Sequence, residues 1–282
     1  LSPPPTRKGA FSVFDGFSYS TIAWLVLILA ASGIMSGLSG FGFSAIGALC
    51  LILLPPKLGV PLLMTLSAAN QILSLGQLKA DMKPIREWWP AGPAPYLLGG
   101  LVGVPIGLAI LTSLPSGPLM EVFGAFLIVY AAYSLLKPAA AHITVNDNWF
   151  ASSLVGMSGG VIGGFTAFPG APVVVWSGLR QLPKSDSRAI VQPYILGLQL
   201  LSIGLLALQK PATFARPYWG LLLITVPVVL PSTFLGVKLY RSLSDINFRR
   251  VTFILLGISG LGLLIKAAGA PLAAWVTHLV GR

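Results

Sequence analysis

Charge is what this sequence has least of. Only 9% of its 282 residues are Asp, Glu, Lys or Arg, against ~25% in an average soluble domain, and that excludes a water-soluble globular fold of this size. Acids are the scarcer sign. The seven are Asp15, Asp81, Glu87, Glu121, Asp147, Asp186 and Asp245, and all lie in connections or at the ends of apolar runs. A proton relay built on a membrane-embedded carboxylate has no residue to use, Glu121 coming nearest. A lone cysteine, Cys50, rules out an intramolecular disulfide and reads as a packing residue. His142 and His278 stand apart, and the chain holds no CxxC, no HExxH and no GxxxxGK[ST]. With those constellations missing, the expectation is no enzyme, no metal and no cofactor.

What is present is apolar: 55% of the residues are hydrophobic. Hydropathy divides the chain into eight runs, 21–54, 59–76, 91–112, 118–136, 150–178, 189–208, 219–240 and 251–268, most of them close to the ~20 residues that cross a hydrocarbon core. A membrane barrel would alternate in polarity along ~10-residue strands, and no such alternation occurs. The expected fold is an all-α integral membrane protein of about eight hydrophobic helical runs, or eight to ten segments. Runs 21–54 and 150–178 exceed a single crossing and carry glycine clusters, so each is expected to be a broken helix or a pair of short ones. Residues 1–20 read as a tail rather than a cleavable signal, and 269–282 as a C-terminal segment.

The net charge of +11 is scattered through short connections instead of forming a strip, which argues against a nucleic-acid partner. Membrane lipid is the expected partner. Trp24, Trp88, Trp89, Trp149, Trp219 and Trp275 fall near run ends, as an interfacial belt would place them.

The chain also repeats itself. Gly37-x-x-Gly40-x6-Gly47-Ala48 recurs as Gly160-x-x-Gly163-x6-Gly170-Ala171. Gln71, Leu73, Ser74 and Gly76 match Gln199, Leu201, Ser202 and Gly204, and Gly107, Ser113, Leu114 and Lys137 match Gly236, Ser242, Leu243 and Lys266. Two homologous halves are expected, 21–138 and 149–268, joined by a polar linker at 139–148. With one crossing per run, the basic residues divide almost evenly between the two sides. Hairpins at 21–54 and 150–178 tilt that balance and give five segments per half, an odd number that inverts one repeat relative to the other.

Candidate binding residues follow from the two glycine clusters. Close helix packing in lipid accounts for some of these glycines. The alternative is that the helix unwinds there and offers backbone N–H groups to an anion, which nominates Gly37, Ser39, Gly40 and Gly42 in the first half and Gly160, Gly163 and Gly164 in the second. Asn70, Gln71, Gln192 and Gln199 are polar side chains inside spans, where they either bond between helices or line a substrate path. Arg188, where a span begins, is the cation best placed to touch substrate.

Gly33-Ile34-Met35-Ser36-Gly37-Leu38-Ser39-Gly40-Phe41-Gly42, its counterpart Val155-Gly156-Met157-Ser158-Gly159-Gly160, and the two-half plan resemble the TauE/SafE family of sulfite exporters and related sulfur-anion permeases over about 21–268. The resemblance implies a secondary transporter of a small anionic substrate, such as sulfite, sulfoacetate or another organosulfonate, in the bacterial inner membrane. One departure is expected to break the symmetry of the site: Phe168-Pro169-Gly170-Ala171-Pro172 is bulkier and richer in proline than the matching Ala45-Ile46-Gly47-Ala48-Leu49. The rival expectation is a non-transporting membrane scaffold whose glycines serve only packing, and continuity of the two long helices separates the two.

Overall fold

The computed structural model describes residues 17–77, 84, 87–136, 148–240, 254 and 257–269. Most of the polar linker, the tail before residue 17 and the C-terminal segment after 269 lie outside them. The described residues form helices α1 (Tyr19–Ser39), α2 (Phe43–Gly47, continued as a 3-10 turn over Ala48–Ile52), α3 (Pro56–Gln77), α4 (Ala94–Ser113) and α5 (Ser116–Leu136). Then come α6 (Trp149–Thr166), α7 (Gly170–Leu179), α8 (Lys184–Gln209) and α9 (Arg216–Tyr240), and α10 (Gly257–Gly269). Six of these helices are long and apolar enough to cross a membrane. Leu101, Val102, Ile106, Val129, Leu208 and Leu223 are exposed, as lipid-facing side chains must be. The protein is an all-α integral membrane protein.

The long runs are broken, and by one local design. α1 starts at Ser18, whose side chain accepts from Thr21 N at 3.1 Å, and stops at Gly40 in the left-handed region, φ 82°. α6 starts at Asn148, whose Oδ1 accepts from Ala151 N at 2.7 Å, and stops at Ala167, also left-handed at φ 60°. Side-chain N-caps and left-handed C-caps are the usual means of satisfying the orphan groups at helix ends.

The second break is not where the glycines predict it. Residues 156–164 lie inside unbroken α6, and the chain turns at Ala167–Pro169 because Pro169 disfavours helix at Phe168 and has no N–H for the carbonyl four residues back. The glycines of α6 serve packing instead. A Cβ on Gly156 would collide with Tyr96 O, and one on Gly164 would lie 2.7 Å from Gly107 Cα. From the other side, Gly99, Gly103 and Gly107 of α4 abut Ser153, Met157 and Val161 in turn. α1 and α9 meet the same way: Gly33 faces Val229 O, Gly37 faces Thr233 O, and Gly236 faces Ile34 O. Small residues let backbones approach where no water drives association.

These contacts also fix direction. Residue numbers rise together between α1 and α9 and between α4 and α6, so the helices of each pair run parallel. Gly124 meets Gly260 and Leu264 while Ile128 meets Gly260 and Ala131 meets Gly257, so α5 and α10 run antiparallel. All three relations fit ten segments that alternate strictly in direction, with α2 and α7 each reversing the chain after its break. α3 and α8 lie at the centre, burying Leu62, Leu63 and Leu66 on one and Val191, Ile195 and Leu198 on the other.

Candidate functional site

Immediately before each break a hydroxyl does the same work. Ser39 Oγ donates to Met35 O at 2.8 Å and accepts from Gly42 N at 2.9 Å and Phe41 N at 3.3 Å. Thr166 Oγ1 donates to Ile162 O at 2.7 Å and accepts from Phe168 N at 3.1 Å. A glutamine from a central helix then braces each left-handed residue: Gln71 Nε2 donates to Gly40 O at 3.1 Å, and Gln199 Nε2 to Ala167 O at 2.8 Å. Between the breaks Phe41 and Phe168 stack, their ring centroids 6.4 Å apart and their planes 13° from parallel. Tyr130 and Phe126 close on Phe168 edge-on, at 5.8 and 6.4 Å.

The equivalent triplets are therefore Ser39-Gly40-Phe41 and Thr166-Ala167-Phe168. This corrects the glycine pairing: Gly40 corresponds to Ala167 rather than Gly163, and Phe168 matches Phe41 rather than standing out as bulky. Matching hydroxyl, small residue and phenylalanine was the sequence signal that could have found the register. The backbone N–H of Gly42, expected to face an anion, is taken by Ser39, and those of Phe41 and Phe168 are taken by the same two hydroxyls.

Around Gly40 the surroundings become polar. A Cβ there would lie 2.8 Å from Arg188 Nε and 3.0 Å from Gln192 Nε2, so only glycine leaves both side chains against the backbone. Arg188 Nη2 donates to Gly37 O at 3.0 Å. Asn70, beside Gln71, accepts from Thr233 Oγ1 of α9 through its Oδ1. Asn70, Gln71 and Gln192 are at most 1% exposed, and Arg188 is 8% exposed. Yet among the described residues no hydrogen-bond partner reaches either polar atom of Gln192, Asn70 Nδ2, Gln71 Oε1, or the hydroxyls of Ser36 and Ser44 on the two sides of the break. A buried polar group left unpaired costs ~1–3 kcal/mol, and native proteins keep few of them. Several in one neighbourhood beside a guanidinium suit a ligand rich in oxygen.

Among the described residues the second break lacks the matching arginine and glutamine. Counted back from Gln71 as Arg188 and Gln192 are counted back from Gln199, the corresponding places hold Val60 and Met64, both fully buried. There Gly163 packs under Pro169, and Gly170 meets Ile195. Of the residues nominated from sequence, the structure brings together Gly40, Asn70, Gln71, Gln192 and Arg188, with Gly37 lending its carbonyl. Ser39 and Gly42 belong to the first cap, Gln199 and Gly163 to the second break, and Gly160 and Gly164 to the α4 contact. Ser36, Ser44 and Thr233 were missed, because small hydroxyl residues are common in membrane spans and carry no signal of position.

No curated protein and no solved structure matches the chain. The family described as "Sulfite exporter TauE/SafE" matches residues 25–263, from the first turns of α1 into α10. A chain matched from the opening helix through both breaks belongs to that family of transporters, the sulfite exporter TauE/SafE family.

Proposed function

We propose that this protein is a secondary carrier that moves a small sulfur-containing anion, such as sulfite, sulfoacetate or another organosulfonate, across the bacterial inner membrane by alternating access. The observation that carries this reading is the buried cluster at the first break, where Gln192, Asn70 and Gln71 present polar atoms without a partner among the described residues, beside Gly40 and the Arg188 guanidinium. Neutral amides beside a guanidinium can replace the hydration of an oxyanion. The family supports the substrate class.

Alternating access has its supporting geometry in the two breaks. Discontinuous helices at corresponding places in two repeats are the recurring architecture of secondary carriers. In our reading 21–138 and 149–268 are inverted repeats, as the matched caps and the antiparallel α5 and α10 support. A packing-only scaffold accounts for the glycines along α1 and α6, but not for two equivalent breaks braced by two equivalent glutamines. With the cell interior negative, outward movement of one negative charge gains ~2.3 kcal/mol per 100 mV, which suits export without a coupling ion.

Binding tests the reading directly. Sulfite added to the purified protein at about 100 times its Kd stabilises the folded state by ~2.7 kcal/mol, seen as a raised unfolding midpoint. Substitution Gln192→Leu removes the shift. An unchanged midpoint across sulfite and a panel of sulfonates contradicts it.

A further inference from the structure

Resting on the alternating-access reading above, we infer that Phe126 and Tyr130 of α5 form an aromatic lid over the second break, and that the described conformation is the one with this lid shut and the first break open. The two breaks differ in cover. Phe168 is 1% exposed and Thr166 fully buried, whereas their counterparts in the first break, Phe41 and Ser39, are only half-buried. The cover on Phe168 comes from α5, where Phe126 and Tyr130 lie one turn apart and stack on each other, centroids 6.1 Å apart and planes 4° from parallel. Together they meet Phe168 edge-on, at 6.4 and 5.8 Å. Edge-to-face contact is favourable but modest, enough to hold a ring and little enough to release it. Beside the pair is a cavity of about 280 Å³, bordered by Val155 of α6 and by Ala171, Val175 and Trp176 of α7. Both rings therefore have room to move, since a cavity of ~150 Å³ already admits benzene.

Which contacts change follows from the repeat. The shift that matches Lys137 to Lys266 also turns Ala131 and Ile128 of α5 into Gly260 and Gly257 of α10. The contact of Ala131 with Gly257 and that of Ile128 with Gly260 are therefore mates, and exchanging the proposed repeats leaves the seam between α5 and α10 in place. The stack of Phe41 on Phe168 pairs equivalent residues and survives exchange in the same way. The lid does not. Under the same shift Phe126 and Tyr130 become Leu255 and Ser259, so exchange lifts two rings off Phe168 and sets none over Phe41. Two repeats of one fold can trade conformations, and for inverted repeats that trade turns the open side to the other face of the membrane. Stack and seam then form the fixed pivot and the lid is the moving contact. Its presence in one half alone favours the described conformation, in which the polar cluster at Gly40 lies beside the open break.

Ser39→Cys and Thr166→Cys, each combined with Cys50→Ala in the purified full chain, read the two breaks through their rates of reaction with a small anionic methanethiosulfonate. The thiol at 39 is expected to react at least ~10-fold faster than that at 166, because the lid-open state is the minor one. Tyr130→Leu, which removes a ring, is expected to raise the rate at 166 and lower the rate at 39. Tyr130→Phe keeps the ring and is expected to keep the ratio. Rates that rise together in Tyr130→Leu report loosened packing and overturn the lid, as do equal rates at the two positions or a ratio that Tyr130→Leu leaves unchanged. Phe126→Leu carries the same comparison where Tyr130→Leu fails to fold. No anion enters these rates, so an unfolding midpoint that sulfite and the sulfonates leave unmoved sinks the anion reading and is told apart from failure of the lid.

Discussion

At the scale of single residues, the two breaks pose one conformational problem and solve it with different residues. Gly40 and Ala167 both hold positive φ, where an L residue costs ~1–2 kcal/mol. Ala167 bears that cost because its side chain fits, at 1% exposure. Gly40 has no room, since a Cβ would meet Arg188 Nε at 2.8 Å and Gln192 Nε2 at 3.0 Å. Gly40→Ala is therefore expected to lose transport by at least ~10-fold and about 1–2 kcal/mol of stability. Ala167→Gly relieves strain while loosening the unfolded chain, so its stability changes by less than ~1 kcal/mol and transport persists. Thermal midpoints and flux on the two variants check the contrast. A well-coupled Gly40→Ala carrier would show that the polar cluster needs no close approach to the backbone.

At the scale of elements, glycine does two different jobs, and only the structure separates them. Gly103 of α4 lies against Met157 O and Val161 N of α6, both backbone atoms that cannot step aside, while Gly76 and Gly204 near the ends of α3 and α8 have nothing within 4 Å. Gly103→Leu is expected to cost several kcal/mol, since overpacking alone costs ~1–3 kcal/mol and here the helix pair must separate. Gly76→Ala and Gly204→Ala should gain ~0.5–1 kcal/mol each from helix propensity. Yield of monodisperse protein and its unfolding midpoint distinguish these outcomes. From sequence, Gly76 and Gly204 were as conspicuous as Gly37 and Gly160, because a repeat match reports descent and not contact. For the same reason the break in the second half was assigned to the glycines of α6, with Pro169 and Pro172 read only as support: small residues that permit unwinding are also those that permit close packing, and the chain turns at Pro169 itself.

At the scale of the whole molecule, much was legible because the bilayer is a simple solvent. It demands long apolar helices, and hydropathy located them from 21–54 to 251–268. Of the four side chains that gather at Gly40, Asn70, Gln71 and Gln192 were named from polarity inside spans, since a polar side chain there needs a reason to exist, and Arg188 from its place where a span begins. Which of two equivalent breaks holds them was not legible. That depends on α8 crossing to the break of α1, a contact between halves that no local pattern encodes. The inverted repeats proposed above carry a consequence for topology. Ala91, before α4, and Ala212, between α8 and α9, are both exposed and occupy corresponding connections of the two proposed repeats, so inversion would put them on opposite faces of the membrane. With Cys50, fully buried, replaced by alanine, single cysteines at the two positions are expected to react with an impermeant thiol reagent from opposite sides. Labelling from one side overturns the inverted arrangement.

The central claim is that the buried amides and guanidinium at the first break bind the anion that this chain carries. The most direct measurement is flux of labelled sulfite through purified protein in liposomes, comparing the wild type with Gln192→Leu, which keeps the volume of the side chain and removes both unpartnered polar atoms. The account predicts wild-type flux above protein-free vesicles and a loss of at least ~10-fold in the variant. Equal flux in the two proteins, or no flux of any sulfur anion in the wild type, would contradict it.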